Sequence, residues 1–298
     1  MKILNYGSMN IDHVYTVDHM VQPGETLIAT DRNLFNGGKG LNQSVAIAKA
    51  GGEVYHAGMI GDDGDMLLRA LEQAGVRTDF VRKEHGPSCH TFIQVDKNGQ
   101  NSIVVYNNPD LRMSADDIDA LLASFGEGDI VVLQNETWNS PLVMKKAAER
   151  GMQVVFNPSP INEGIREYPL ESAAWLLMNE IEGAAITGGI TDPDQILAAL
   201  QKKYPGIGVV LTLGGDGAMC LYNGEVLRQP IFPVKAVDTT AAGDTFTGYF
   251  ISGLASGMAM PDILRRAARA SSITVSRPGA ADSIPTLAEI EALEKADR

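Results

Sequence analysis

Cysteine is scarce in this chain: Cys89 and Cys220 are the only two. That excludes a disulfide framework and, with no partner at ligand spacing, a cysteine-based metal site. Two scattered thiols fit a reducing compartment, so a cytoplasmic location is expected. Positive charge is also short, 24 Lys and Arg against 37 Asp and Glu, for a net of −13. Such a surface repels nucleic acid and anionic membrane, and neither is an expected partner. No apolar run approaches the roughly 20 residues of a bilayer span. Residues 1–7 read as a short strand and turn, not the apolar core of a signal peptide. The five histidines show no metal spacing. Two common nucleotide signatures are missing as well. No G-x-G-x-x-G follows the first strand, which argues against a dinucleotide-binding dehydrogenase. Gly38-Lys39 does not close a phosphate loop, because Asn33 stands where that motif needs glycine and Gly40 where it needs Ser or Thr. An anionic ligand must then be held by local backbone dipoles or a few placed cations.

What remains is ordinary globular composition, 44% hydrophobic and 20% charged over 298 residues, enough for one large α/β domain. Short β runs alternate with helix-length amphipathic stretches. Strands are expected at 3–6, 54–59, 130–133, 154–157, 175–178 and 209–213. Helices are expected at 41–50, 62–74, 114–125, 141–150, 193–204, 245–257 and 261–276. The rhythm predicts an α/β fold with a doubly wound, mostly parallel sheet flanked by helices. Two segments break it. Residues 16–35 have no helical period and turn at Pro23-Gly24, and residues 91–106 read as a hairpin around Asn98-Gly99. Together they predict a small β-sheet lid, about 12–36 and 88–108, inserted in a single domain spanning 1–298.

Three stretches carry chemistry. In Asp238-Thr239-Thr240-Ala241-Ala242-Gly243-Asp244, small residues precede a helix whose Phe246, Phe250 and Leu254 share one face. Free N–H groups of Ala242, Gly243 and Asp244 at a helix N-terminus make an anion site, and small side chains let a phosphate approach. Asp244 beside that site is a candidate base; alone, it is equally an ordinary first-turn acid. Asn36-Gly37-Gly38-Lys39-Gly40-Leu41-Asn42-Gln43 places two glycines before a helix start that brings Lys39 near Asn42. Asn10 and Asp12 follow the first strand at alternate positions and share a face if the chain stays extended. Weaker signals end three other strands: Gln134-Asn135-Glu136, Asn179 to Glu182, and Thr212-Leu213-Gly214-Gly215-Asp216-Gly217. In an open α/β sheet, ligand groups collect at such carboxyl ends.

In this order, the early Gly37-Gly38-Lys39-Gly40 with Asn42-Gln43 and the late Asp238–Asp244 run resemble the ribokinase family of sugar and nucleoside kinases, nearest its ribokinase members. The likeness covers essentially the whole chain. It implies ATP-dependent phosphorylation of a primary hydroxyl of a free sugar, ribose or a related pentose or hexose. Another small polyol (a ketohexose, a keto-deoxy sugar acid or a nucleoside) is the alternative, and a non-catalytic sugar binder on the same fold is a further one. The sugar would be held by Asn10, Asp12, Gly38, Lys39, Asn42 and Glu136, with Asp244 as the base and the N–H groups of Ala241, Ala242 and Gly243 as the anion hole. ATP would lie along Asn179, Thr212, Gly214 and Gly217, with Glu182 supporting magnesium. A potassium ion would sit among Asp238, Thr240, Val275, Gly279 and Ser283, and the lid would form a homodimer contact. The chain departs from the family pattern at Pro87-Ser88-Cys89-His90 and Asn107-Asn108-Pro109-Asp110, which border the expected sugar pocket and put ribose itself in question. Near the adenine, Ala268 stands where the family often carries His or Asn.

Overall fold

The computed structural model describes residues 1–296. In chain order the strands are β1 (Ile3–Tyr6), β2 (Asn10–Thr16), β3 (Asp31–Gly37), β4 (Val54–Ile60), β5 (Arg77–Lys83), β6 (His90–Val95), β7 (Asn101–Tyr106), β8 (Ile130–Gln134), β9 (Gln153–Asn157), β10 (Trp175–Asn179), β11 (Gly208–Thr212), β12 (Ala218–Tyr222) and β13 (Glu225–Gln229). The helices are α1 (Lys39–Lys49), α2 (Asp65–Gln73), α3 (Ala115–Leu122), α4 (Ser140–Glu149), α5 (Glu180–Ile186), α6 (Pro193–Lys203), α7 (Ala242–Ala255), α8 (Met260–Val275) and α9 (Leu287–Ala296).

The larger sheet runs β13-β12-β11-β10-β9-β8-β1-β4-β5. Neighbours from β11 to β5 are parallel, while β12 and β13 close one edge antiparallel. The central strands are near-continuous apolar runs because both their faces are covered. Ile130, Val131, Val132 and Leu133 of β8, for example, are all fully buried. Alternate residues feed two cores. Ile3, Ile130 and Val132 face α1, α2, α7 and α8, whereas Leu4, Tyr6, Val131 and Leu133 face α3, α4 and α6.

Strand order reverses beside β1: the chain proceeds to β4 and β5 on one side and through β8 to β11 on the other. The carboxyl ends there diverge into a crevice, the usual ligand position in such a sheet. A separate sheet, β3-β2-β6-β7, stands over that end. Its β6–β7 hairpin turns at Asn98-Gly99, with Gly99 at φ 77°.

The expected elements are all present, with ends shifted by a few residues. One shift bears on the site: α7 starts at Ala242 and not at 245. Five elements were not expected: β5, α5, the β12–β13 hairpin and α9. The hairpin did carry a signal, since Asn223 and Gly224 at φ 51° and 81° form the Asn-Gly turn that favours two-residue connections.

Close packing of α1 on α7 brings the two main motifs together. A Cβ on Gly248 would stand 2.3 Å from Ala46 Cβ and 2.8 Å from the Ile47 backbone N. Gly248→Ala therefore forces the helices apart and is expected to lower stability by about 1–3 kcal/mol. A denaturant midpoint equal to that of the parent would contradict this.

Candidate active site

Asn42 and Gln43 on α1 both reach Asp244 in the first turn of α7. Asn42 Nδ2 donates to Oδ2 and Gln43 Nε2 donates to Oδ1, each at 3.0 Å. Two neutral donors, one per oxygen, fix the plane of this buried carboxylate and leave its other lone pairs facing the crevice.

Asp244 stands where two cavities meet. One, of about 630 Å³, opens beneath the small sheet beside Asn10, Asp12, Gly38, Asn42 and Glu136. The other, of about 240 Å³, lies over the ends of β10 and β11 beside Asn179, Glu182, Thr212 and Gly243. Lys39, Ala241 and Asp244 line both. A third cavity, of about 430 Å³, continues from the second past Thr239 and Phe246. Ile231, Phe232 and Ala268 give it apolar walls, and Gly214 and Gly217 its floor. The residues expected to hold sugar and nucleotide thus fall into adjoining compartments in the expected order.

In the first compartment, Asn10 and Asp12 both lie on β2 and share a face, as alternation requires. The Thr91 hydroxyl donates to Asp12 Oδ1 at 2.7 Å. Burial raises the Asp12 carboxyl above its ordinary range, and the Thr91 bond opposes that rise. Gly38 caps α1 at φ 95°, a conformation open to glycine, and turns the Lys39 N–H onto Glu136 Oε2 at 3.1 Å. Glu136 also accepts from the Ser8 hydroxyl. Burial outweighs these contacts and raises its carboxyl too. Burial alone would lower the Lys39 ammonium, but the carboxylates of Asp244, Glu136 and Glu182 outweigh it and hold the ammonium above its usual value. Lys39 is therefore a firm cation between the first two compartments.

On the second side, the αL residue Ala241 (φ 60°) caps α7. A non-glycine residue there is strained, and such strain concentrates at functional sites. The turn leaves the N–H groups of Ala241, Gly243 and Asp244 without an acceptor among the described residues. The Ala242 N–H instead turns back to Thr239 O at 3.3 Å. Of the three amides expected to form the anion hole, those of Ala241 and Gly243 are free and that of Ala242 is engaged. Asn179 and Glu182 are not loop residues. They form the capping box of α5, with Glu182 N to Asn179 Oδ1 at 2.9 Å and Asn179 N to Glu182 Oε2 at 3.0 Å. The box fixes both side chains at the cavity and leaves Glu182 Oε1 open.

Asp238 accepts from the N–H groups of Thr240 (2.9 Å) and Gly279 (3.0 Å), while Val275 O accepts from Val237 and Asp238. Four of the five expected potassium residues thus meet around Asp238. Ser283 bonds Ala280 O instead. Arg277 pairs with Glu289, not with Asp238.

Sequence reasoning missed the roles of Gln43, Ser8 and Thr91. Gln43 sat inside the quoted motif, where only Gly38, Lys39 and Asn42 were assigned. The departure at 87–90 also resolves differently from the expected border. Cys89 and Thr91 line the first cavity, while His90 turns to the other face and packs on Tyr106 at 4.9 Å. Asn107 lines the cavity and donates to Glu136 O at 3.1 Å.

A carboxylate between a polar cavity and the free N–H groups of a helix start, with an apolar compartment beyond, is an arrangement suited to phosphoryl transfer. The chain belongs to the pfkB family carbohydrate kinases, whose model matches residues 1–287. It is 33% identical over 299 residues to a ribokinase of Haemophilus influenzae, covering 97% of each. A bifunctional ribokinase/ribose-5-phosphate isomerase A of Fructilactobacillus sanfranciscensis is 36% identical over 295 residues, and the chain spans 54% of it. The structure of Arabidopsis thaliana ribokinase with ribose and ATP superposes with a TM-score of 0.87 at 32% identity, covering 98% of both chains.

Proposed function

We propose that this protein transfers the γ-phosphoryl group of ATP to the primary 5-hydroxyl of ribose. The observation that carries the reading is that Lys39, Ala241 and Asp244 line both the cavity beneath the small sheet and the cavity at the N-terminus of α7. Sugar in the first and ATP phosphates in the second would meet at Asp244. Asn10, Asp12, Asn42 and Glu136 hold the sugar hydroxyls. The adenine occupies the apolar compartment past Phe246. Asp244 accepts the hydroxyl proton as the sugar oxygen bonds to the γ-phosphorus and the bond to the ADP oxygen breaks. Lys39 and the N–H groups of Ala241, Gly243 and Asp244 carry the charge that spreads over the transferring group. In a loose transition state such positioning and electrostatics supply most of the acceleration.

Magnesium fits the second cavity: the open Glu182 Oε1 is a hard oxygen donor, and a hydrated ion there would neutralise phosphate charge. The four-stranded sheet acts as a lid on the single domain, closing over the sugar and limiting ATP hydrolysis by water. Its outer face exposes Phe92 (46%) and Val104 (64%), an apolar surface suited to the same sheet of a second copy. Two free thiols suit a reducing cytoplasm. The test is ADP release across pentoses, deoxypentoses, hexoses, sugar acids and nucleosides. Ribose should give the highest kcat/KM among them; a nucleoside or sugar acid ahead of it by tenfold or more would overturn the substrate assignment.

Potassium is proposed beside Asp238: its carboxylate already accepts from the Thr240 and Gly279 N–H groups and Val275 O from two more, so the ion would take remaining oxygen lone pairs beside the loop into α7. It would stiffen that loop and so preorganise the Ala241–Asp244 N–H groups. The rate is expected to rise when potassium replaces sodium at matched ionic strength, in protein dialysed free of potassium. An unchanged rate would remove the ion and leave the phosphoryl-transfer reading intact.

A further inference from the structure

Five fully buried polar side chains lie beneath Asp244, on the α1 side of the three central strands: Asn5 of β1, Gln43 and Ser44 of α1, His56 of β4 and Gln134 of β8. None of them lines the cavities above. Their neighbours along each strand are apolar, so the polar patch is local to this point. Asn5 and His56 are register partners across β1 and β4. The bonds form one chain. Asn5 Nδ2 donates to Gly40 O at 2.8 Å and to Ser44 Oγ at 2.9 Å. Gln134 Nε2 donates to Asn5 Oδ1 at 3.0 Å and to Gln43 Oε1 at 2.8 Å. Gln43 Nε2 then donates to Asp244 Oδ1 at 3.0 Å.

The direction of this chain is set at its far end. Gly40 O is a backbone carbonyl and can only accept, so Asn5 must present its nitrogen there and its oxygen to Gln134. Gln134 must answer with its nitrogen, which Gln43 meets with its oxygen. Gln43 is thereby held with its N–H toward Asp244, the same sense that the acceptor-only carboxylate requires. The Gln134 Oε1 atom is buried with no partner. Turning that amide over would satisfy nothing, since it would set oxygen against both Asn5 Oδ1 and Gln43 Oε1.

We propose that Gln134 is a positioning residue for phosphoryl transfer: through Gln43 it fixes the amide sense that presents a donor to the Asp244 carboxylate. A donor at Oδ1 favours the charged form and holds the carboxylate plane, so the other lone pairs stay aimed at the reacting hydroxyl. The proposal rests on Asp244 being the base.

The test compares Gln134→Met and Gln134→Glu with the parent, using ribose and ATP, with Asp244→Asn as the control. Met leaves Gln43 free to turn. Glu keeps the shape but sets acceptors against Asn5 and Gln43, which drives the Gln43 oxygen toward Asp244. The expected result is a kcat lowered about tenfold in Gln134→Met and further in Gln134→Glu, with both KM values within about twofold. Lys39, Glu136 and Glu182, the charged groups facing Asp244 from α1, the end of β8 and α5, are unchanged in both variants. If only melting temperature falls, or if Gln134→Glu is the milder variant, Gln134 is packing and the proposal is overturned. Should Gln134→Glu fail to fold, the Gln134→Met split between kcat and KM decides alone. An active Asp244→Asn enzyme would instead overturn the base assignment, a separate failure.

Discussion

Asp244→Asn should lower kcat by about 10²–10⁴-fold while leaving KM for ATP and for sugar within a few-fold. The substitution keeps the size of the side chain and its place between Asn42 and Gln43, and removes the proton acceptor. Binding should survive because most of the lining of the two cavities comes from other groups, on β2, α1 and the end of β8 in the first and at the ends of β10 and β11 in the second. Steady-state kinetics with both substrates varied gives the answer. A variant that keeps more than a tenth of the parent kcat would show that Asp244 is not the base.

Asp12→Ala should act on the other constant. Its carboxylate is half-buried at the rim of the cavity beneath the small sheet, with Oδ1 accepting from Thr91 and both oxygens close against Gly37. Removing it leaves a bound hydroxyl and the Thr91 donor unpaired, at a cost of roughly 1–3 kcal/mol, or about 5–150-fold in sugar KM. The KM for ATP should hardly change, since Asp12 does not line the nucleotide cavities. Equal rises in both constants would make Asp12 a structural residue of the small sheet.

Much of this geometry was legible in the residues, and the limits were physical. The parallel core announced itself through unbroken apolar runs such as Ile130 to Leu133, because a strand covered on both faces has no reason to alternate. Asn10 and Asp12 were readable because an extended chain puts alternate residues on one side. The start of α7 was placed too late, because Ala242 and Gly243 carry no apolar periodicity, and the αL turn at Ala241 that begins the helix leaves no mark in a run of small residues. The capping box hid Asn179 and Glu182 in the same way: the residues were singled out, but spacing alone did not show that each ties down the other. Hairpin β12–β13 had its Asn-Gly turn in plain view. It was passed over because β13 is mostly exposed and lacks clean alternation. Contacts between distant segments were the least accessible. Nothing local to Gln134 links it to Gln43 or Asn5; that bond exists because β8 lies beside β1 and α1 packs across both.

The most direct measurement follows the phosphorus itself. Enzyme, magnesium, ribose and ATP labelled in the γ-position should yield one labelled ribose phosphate for each ADP formed, with the ester at the 5-hydroxyl. Omitting ribose should bring ADP formation close to the background, because in the proposed reaction the sugar oxygen is the acceptor. Label appearing as inorganic phosphate at the same rate with and without sugar would contradict the account.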